Sequence, residues 1–247
     1  MAVAALGTVE YAAAERLQQQ LVTARQAGAI GDLLLLLEHP PVVTLGRNAR
    51  REHLRLPAPE LARRGIGVAA CNRGGDVTFH GPGQLVGYPI LDLRQTAQPP
   101  CLHGGRPGGG HLGPVDYMRA LEEVLIRVAA AFGIPAWRVA GRTGVWCGAP
   151  ERKLAALGVH ISRGVTSHGF ALNVATDLAL FEQIIVPCGI ADRGITSLER
   201  ELGQPPAMES VAGAVIREFG SVFARSMQPV EPPAVLPAAW EEDSVHA

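Results

Sequence analysis

The stretch RKLAALGVHISRGVTSHGFALNV, residues 152–174, predicts a β-hairpin. Two runs of apolar and small residues flank Arg163 and Gly164, a pair that favours a tight turn. The period-two alternation of a strand predicts that one face of the first strand carries Lys153, Ala155, Leu157 and Val159. Lys153 is therefore expected on an otherwise apolar face, where desolvation favours its neutral amine.

The rest of the chain combines strand-like runs with a few helix patterns. Residues 9–27, 114–132 and 208–224 carry apolar residues at helical spacing, most clearly in 114–132. Residues 33–45 and 67–93 contain short apolar runs separated by Gly and Pro. Because strands cluster rather than alternate one by one with helices, we expect a single α+β domain with mixed sheets flanked by helices.

The predicted domain spans residues 1–227. Within it, residues 95–113 are a Gly- and Pro-rich insertion with few apolar residues, which we expect to be flexible. Residues 228–247 form a Pro-rich tail that we expect to be disordered.

Composition restricts the possible partners. The formal net charge of −1 argues against nucleic acid as the main partner. No secretory signal pattern opens the chain, and the apolar run at residues 33–37 is too short to span a bilayer. We therefore expect a soluble cytoplasmic protein. No CxxC pair is present among the four cysteines, so we expect neither a disulfide framework nor a metal site.

Lys153 is the only lysine among 22 basic Lys and Arg residues. A group that exchanges a proton near neutral pH can be a buried Lys but not an Arg, whose guanidinium stays charged in proteins. One Lys surviving by chance in an Arg-rich chain is the alternative. A nearby nucleophile would favour the catalytic interpretation.

Cys188, in the stretch VPCGI at residues 186–190, is the best nucleophile candidate. It lies between Pro and Gly in a rigid turn open to approach, whereas Cys71 and Cys147 fall in apolar runs and Cys101 in the insertion. A thiol is mostly protonated at pH 7, so a neighbouring amine can remove its proton and later return it to a leaving group. We predict that Lys153 and Cys188 meet.

The stretch RGGDVTFHGPGQ, residues 73–84, has four glycines that let the backbone approach a ligand closely. It matches no phosphate-binding loop. A pair of tight turns between strands would also explain it. The polar side chains of Arg73, His80 and Gln84 favour instead the interpretation that this stretch forms the wall of a pocket.

Together with EHPPVVTLGR (residues 38–47), TGVW and VPCGI, these stretches resemble the lipoyl(octanoyl) transferases of lipoate biosynthesis. The resemblance runs from about residue 9 to residue 223. It implies a fold related to the catalytic domains of lipoate and biotin protein ligases. It also implies transfer of an octanoyl or lipoyl group from acyl carrier protein to a lysine of lipoyl domains, without a cofactor. The implied acceptors are 2-oxoacid dehydrogenase E2 subunits and glycine cleavage H protein.

The resemblance further implies individual roles. Cys188 would be the acyl-thioester nucleophile and Lys153 the residue that tunes it. The implied substrate-binding residues are Arg73, Gly74, Gly75, Asp76, Val77, Thr78, Phe79, His80, Ala156, Leu157, Gly158, Gly169, Phe170 and Ala171.

Three alternatives remain open at this point. An ATP-dependent lipoate or biotin ligase would bind an acyl-adenylate with a Lys and would not need Cys188. A non-catalytic protein would bind acyl carrier protein or lipoyl domains without forming an adduct. An amidotransferase would also use a Cys, but would take octanoyl from another lipoyl domain.

Overall fold

The structure is a computed structural model that describes residues 1–99, 101, 111–186 and 194–232. Its strands are β1 (Ala2–Thr8), β2 (Leu33–Glu38), β3 (Val42–Leu45), β4 (Gly67–Ala70), β5 (Val77–His80), β6 (Gln84–Ile90), β7 (Ala136–Val139), β8 (Arg142–Cys147), β9 (Arg152–Ser162), β10 (Val165–Asn173) and β11 (Gln228–Pro229). Its helices are α1 (Tyr11–Gln26), α2 (Ala58–Arg63), α3 (Pro114–Ala131), α4 (Leu178–Ile184), α5 (Leu198–Leu202) and α6 (Met208–Phe223), with 3-10 turns at Arg51–His53 and Leu93–Gln95.

The described strands form two mixed sheets. The large sheet has the order β11-β1-β2-β6-β10-β9-β8-β7, and the small sheet has the order β4-β3-β5. In the large sheet β1 is parallel to β2 and β11, while β6, β10, β9 and β8 are antiparallel to their neighbours. In the small sheet β3 is parallel to β4 and antiparallel to β5. The predicted α+β class with mixed sheets flanked by helices is confirmed.

The predicted hairpin is the β9–β10 pair at the centre of the large sheet. Ser162 pairs with Val165, and the two residues between them, Arg163 and Gly164, have φ values of 46° and 84°. Positive φ at both central residues is the geometry of a two-residue turn whose twist matches that of the flanking strands. The turn therefore sets the register of the hairpin.

The five leucines of β2 explain how one sheet supports two cores. Leu34 and Leu36 face the cluster formed with α3 and α6, while the other three leucines of the run face the cluster formed with α1. Successive strand residues point to opposite faces, so a continuous leucine run buries both faces at once. A third, smaller cluster joins the small sheet to α4 through residues such as Phe79 and Phe181.

An irregularity in β9 changes which residues share a face. The cross-strand pairs on either side of it are Val145 with Ala155 and Trp146 with Lys153. Leu154 is thus an extra residue in β9, and such a bulge breaks the alternation. Leu154 and Ala155 both pack into the core with α3, whereas Lys153 lines the cavity described below. The prediction that Lys153 shares a face with Ala155 is wrong.

The two ends of the chain differ in part from the sequence expectations. Residues 2–8 form β1, an element that the sequence analysis does not assign. Gln228–Pro229, the start of the predicted tail, pairs with β1 as β11. At the ends of the predicted insertion, Thr96 and Leu112 are buried; the Leu112 amide donates to the Thr96 carbonyl, and the Leu112 side chain joins the core cluster of α3 and α6. Residues 100, 102–110 and 233–247 of the predicted flexible segments lie outside the described residues.

Over the described ranges, no helix is long and apolar enough to cross a membrane.

Glu122 of α3 is a buried carboxylate that ties the helix to the start of β8. It is 1% exposed, and its Oε1 accepts a hydrogen bond from the Gly144 amide at 3.1 Å. Its Oε2 accepts from Arg119 at 2.7 Å and lies 3.2 Å from Nε of Arg138. A buried carboxylate is stable only when its oxygens are satisfied in this way.

We expect Glu122→Ala to lower the free energy of unfolding by about 2–3 kcal/mol, because it leaves the buried Gly144 amide without an acceptor. Urea denaturation at pH 7.5 measures the change. Glu123→Ala is the matched control, because the neighbouring carboxylate also pairs with arginines but is 22% exposed. Its loss should cost less than about 1 kcal/mol. Equal losses in the two variants would contradict a special role for Glu122.

Candidate active site

An open cavity of about 600 Å³ lies between the β9–β10 hairpin and the glycine-rich stretch that leads into β5. The predicted site residues that line it are Arg73, Gly75, Asp76, Val77, Thr78, His80, Lys153, Ala156, Leu157, Gly158, Gly169, Phe170 and Ala171. Two predicted binding residues are not among its lining. Gly74 forms a backbone hydrogen bond with Val159 of β9. The Phe79 ring is buried, with its centroid 5.5 Å from the ring centroid of Phe181.

Two glycines let the Arg73–Gly74–Gly75 loop lie directly on the neighbouring backbone. The Gly74 amide donates to the Val159 carbonyl at 2.9 Å, and a Cβ on Gly158 would lie 2.7 Å from the Gly74 carbonyl oxygen. On the other side, a Cβ on Gly46 would lie 2.5 Å from the Gly75 carbonyl oxygen. No side chain fits at these distances, so glycine is required for the loop to form the cavity wall.

Arg73 is held inside the protein by hydrogen bonds. Its side chain is buried, and its NH2 donates to the Thr44 carbonyl at 2.8 Å and to the Thr44 hydroxyl at 2.9 Å. Its NH1 donates to the Gly74 carbonyl at 3.1 Å. Most of its guanidinium donors are therefore satisfied by the backbone and side chain of the site itself, which makes Arg73 a support of the wall.

His80 continues the same polar network beneath the cavity. Its Nδ1 donates to Oε1 of Gln84 at 2.7 Å, and Nε2 of Gln84 donates to Oδ1 of Asn173 at 2.9 Å. Asn173 in turn donates to the Thr196 carbonyl at 2.9 Å. A connected and satisfied network of this kind holds its members in one arrangement.

Lys153 enters the cavity from the bulge in β9. It is 6% exposed, and its Nζ lies 4.8 Å from the ring centroid of Trp146, within the range of a cation–π contact. Its backbone amide donates to the Gly194 carbonyl at 3.0 Å, and its carbonyl accepts from the Thr196 amide at 2.9 Å. Lys153 is thus fixed to the chain that follows residues 187–193.

Cys188 lies outside the described residues, so its predicted contact with Lys153 stays a prediction. The chain before it is anchored, because the Val186 amide donates to the His53 carbonyl at 2.8 Å. Of the other three cysteines, Cys147 is 1% exposed and burial raises its pKa to about 11. Cys71 is half-buried and its thiol donates to the Leu45 carbonyl, and partial burial raises the pKa of Cys101.

A group of buried histidines and tyrosines stands at one side of the cavity. Nδ1 of His39 contacts the Val9 carbonyl at 2.6 Å and must carry the proton, since a carbonyl only accepts. Its Nε2 therefore accepts from the Tyr88 hydroxyl at 2.8 Å. His168 has a φ of 54° and its Nε2 lies 2.7 Å from Oδ1 of Asn72. Desolvation by burial lowers the pKa of His39 and of His168 to about 4.

Residues 10–220 match the model of the lipoyl protein ligase A/B catalytic domain. The chain belongs to this family. The match covers both strands of the hairpin, the glycine-rich stretch and the VPCGI stretch, and it confirms the family resemblance found in the sequence.

Proteins named octanoyltransferase are similar to this family member over most of its length. The octanoyltransferase of Acidobacterium capsulatum is 55% identical over 237 residues, which cover 94% of this chain and 93% of that protein. The octanoyltransferase of Koribacter versatilis is 52% identical over 219 residues, which cover 88% of this chain and 82% of that protein.

Solved lipoate ligases share the fold of this family member at much lower identity. An archaeal bi-partite lipoate protein ligase from Thermoplasma acidophilum superposes with a TM-score of 0.71 at 16% identity, over 97% of this chain and 88% of that chain. The predicted relation to the lipoate ligase catalytic domain is confirmed.

Several residues that line the cavity were not predicted as site residues. They are Tyr11, Asn48, Arg50, His53, Tyr88, Gly141, Arg142, Thr143 and His168. Tyr11 lies on the apolar face of α1 and follows the pattern of a core residue, while His168 lies inside the hairpin stretch without a spacing that distinguishes it. Within the described ranges, no group of three or more His, Cys, Asp or Glu side chains could hold a metal ion.

We expect stability to fall when the pH drops from about 6.5 towards 4. An unfolded His binds a proton near pH 6.5, whereas folded His39 and His168 bind one only near pH 4, so protons favour the unfolded chain in this window. Urea denaturation at pH 7.5 and pH 5.0 should show a loss of about 2 kcal/mol for each of the two residues.

His39→Gln should reduce this pH-dependent loss, although it also lowers stability at pH 7.5 by removing the contacts with Val9 and Tyr88. The exposed His111 provides a control, since His111→Gln should leave the loss unchanged. An unfolding free energy that stays constant from pH 7.5 to pH 5.0 in the wild type would disprove this account.

Proposed function

We propose that this protein is an octanoyltransferase of lipoate biosynthesis that works through an acyl-enzyme. It takes octanoyl from acyl carrier protein and delivers it to a lysine of lipoyl domains in 2-oxoacid dehydrogenase E2 subunits and of glycine cleavage H protein. The observation that carries the proposal is the position of Lys153, the only lysine of the chain, which is buried at the cavity and bonded to the segment that follows Cys188.

The proposed reaction has two balanced steps. In the first, the Cys188 thiolate attacks the thioester carbonyl of octanoyl acyl carrier protein, the carrier sulfur leaves, and Lys153 supplies its proton. In the second, the acceptor lysine amine attacks the Cys188 thioester and forms the amide, while the Cys188 sulfur leaves and Lys153 takes up the amine proton. The first step exchanges one thioester for another and the second forms a more stable amide, so no ATP is consumed.

Chain connectivity supports a meeting of the two catalytic residues. Cys188 follows Val186 by two residues, and Val186 is bonded to His53 at the cavity. The carbonyl of Gly194, six residues after Cys188, accepts a hydrogen bond from the Lys153 amide. Since a residue spans at most about 3.6 Å, this connectivity supports a position of the Cys188 thiol within reach of the cavity.

The shape of the cavity supports an acyl substrate. Its volume lies in the range of about 300–1,000 Å³ that is typical of sites for small molecules. Its hairpin wall combines the small residues Ala156, Gly158, Gly169 and Ala171 with the apolar side chains of Leu157 and Phe170, a surface suited to an acyl chain. Ala155, in contrast, packs into the core and takes no part in this wall.

A basic surface at the mouth of the cavity supports docking of an acidic acyl carrier protein. Its exposed arginines are Arg47, Arg50, Arg51 and Arg55. Glu52 is the acidic residue within this stretch, and its Oε1 lies 3.8 Å from Arg50. Arg63 and Arg64, the other members of this Arg-rich run in the sequence, pair with Glu60 and are left out of the surface. The excess of positive charge is local, because the whole chain carries a net charge of −1. Complementary charge mainly speeds encounter and orients the partner.

The remaining parts of the proposal follow from this reaction. A free thiol nucleophile requires a reducing compartment, so we propose a cytoplasmic location. The reaction needs neither a nucleic acid nor a membrane as partner. The shared fold with lipoate ligases makes an ATP-dependent ligase the main competing function.

Incubation with octanoyl acyl carrier protein should add one octanoyl group to the wild-type protein, measured as intact mass. Cys188→Ser should form no thioester adduct, because its hydroxyl is a far weaker nucleophile at neutral pH. Lys153→Arg should form the adduct at least about 100-fold more slowly, because Arg keeps its positive charge but cannot transfer a proton.

The same assay separates the competing functions. Faster lipoyl-domain modification from free octanoate and ATP than from octanoyl acyl carrier protein would identify a ligase. Binding of both partners without any wild-type adduct would identify a non-catalytic binding protein. Transfer from an octanoylated lipoyl domain, but not from acyl carrier protein, would identify an amidotransferase.

Charge reversal at Arg50 and Arg51 should raise KM for octanoyl acyl carrier protein about tenfold at low salt, with a smaller effect at high salt. The matched control is reversal of Arg63 and Arg64, which are also exposed but pair with Glu60 on α2. A short octanoyl thioester without the carrier should be used equally well by both variants. An unchanged KM for the carrier in Arg50→Glu/Arg51→Glu would refute docking at this surface.

A further inference from the structure

We propose that Asp76 and His53 are positioning residues that fix the segment leading to the nucleophile, Ile184–Val186. The proposal rests on the proposed function, because it assigns these residues an effect on the reactivity of Cys188. It also changes the role expected for Asp76, which the family resemblance implies to be a substrate-binding residue.

Asp76 uses both carboxylate oxygens within the protein. Its Oδ2 forms a short contact with Nδ1 of His53. Its Oδ1 accepts from the backbone amide of Arg50 at 3.0 Å and from that of Val77 at 2.8 Å. Three of the roughly four acceptor sites of this carboxylate are thus used within the protein, which makes it well suited to fix the turn that it contacts.

The 3-10 turn at Arg51–His53 needs such support. None of its residues is buried, and no side chain caps its start. A short 3-10 turn has poor hydrogen-bond geometry and gains little from its own contacts. Asp76 contacts the turn at both ends, through the Arg50 amide before it and the His53 ring at its last residue.

The same turn holds the end of α4 through backbone pairing. The His53 carbonyl accepts from the Val186 amide at 2.8 Å, the Arg55 amide donates to the Ile184 carbonyl at 2.8 Å, and Leu54 forms an antiparallel bridge with Ile185. Ile184 and Ile185 are also fully buried in the third core cluster. The segment is thus held by the core on one side and by the turn on the other.

A continuous chain of contacts therefore runs from Asp76 through His53 to Val186, two residues before Cys188. Displacement of a reacting group by about 1 Å can slow a reaction about 100-fold while leaving substrate binding intact. Loss of Asp76 should consequently reduce the rate of the chemical step more than it reduces affinity for the carrier.

Asp76→Ala should lower the single-turnover rate of octanoyl transfer to the enzyme at least tenfold, with KM for the carrier within about twofold of wild type. Hydrogen exchange at the Val186 amide should become faster, because the turn that accepts its hydrogen bond is released. His53→Ala, which removes the ring that Asp76 contacts, should change both quantities in the same direction.

Asp76→Asn is the conservative variant that separates positioning from a direct charge effect. Its amide oxygen can still accept from the amides of Arg50 and Val77, so it should recover most of the rate and the slow exchange at Val186. If Asp76→Asn is as slow in acylation as Asp76→Ala while Val186 exchanges as in wild type, the negative charge acts on the reaction itself and the positioning role is refuted.

Asp177→Ala is the matched structural control. Asp177 caps the start of α4 by accepting from the Leu180 amide at 2.9 Å, so its loss perturbs the same helix at the end remote from the turn. It should leave the acylation rate within about threefold of wild type, and a slowing equal to that of Asp76→Ala would overturn the proposal.

Failure of the proposed function gives a different result. In that case the wild type would form no acyl-enzyme, whereas hydrogen exchange at Val186 would still report whether Asp76 holds the segment. Unchanged Val186 exchange and unchanged acylation in Asp76→Ala would overturn the positioning role while leaving the proposed function intact.

Discussion

The close contact between Gly158 of β9 and the Arg73–Gly75 loop is the constraint on which the site depends. It joins the small sheet to the large one by backbone atoms, with the Gly74 amide bonded to the Val159 carbonyl. The cavity is the space that remains beside this contact. Its walls therefore belong to two sheets that are held in one relative position by backbone geometry rather than by adaptable side chains.

Polar groups extend this rigidity from the loop to Lys153 at the other side of the cavity. Arg73 donates hydrogen bonds to Thr44, whose hydroxyl lies 3.4 Å from Nε2 of His80. From His80 the network continues through Gln84 and Asn173 to the carbonyl of Thr196, and the Thr196 amide donates to the Lys153 carbonyl. Burial lowers the pKa of His39, His80 and His168, so these three histidines are neutral at pH 7. These three side chains therefore do not exchange protons near neutral pH in competition with the proposed transfers.

The sequence predicts those features that depend on local pattern. Alternation and a two-residue turn identify the β9–β10 hairpin, and apolar spacing identifies α3. The bulge at Leu154 could not be predicted, because it arises from pairing with β8 and leaves no mark in the alternation. β1 was missed because its alanines and glycine carry little strand preference. Tyr11 and Tyr88 reach the cavity only through the tertiary fold, so neither could be distinguished from a core residue by spacing. The contact of Lys153 with Cys188 remains a prediction.

The buried position of the only lysine bears on whether the protein can acylate itself. An enzyme that transfers activated acyl groups to lysine amines can also acylate itself, because any lysine on its own surface competes with the intended acceptor. Here every other basic side chain of the Lys and Arg class is arginine, which is a poor acyl acceptor because its guanidinium keeps its proton. The one lysine, Lys153, is 6% exposed as a residue. The surface therefore presents almost no lysine amine to an activated acyl group, and in the proposed reaction the acceptor's lysine is left as the accessible side-chain amine.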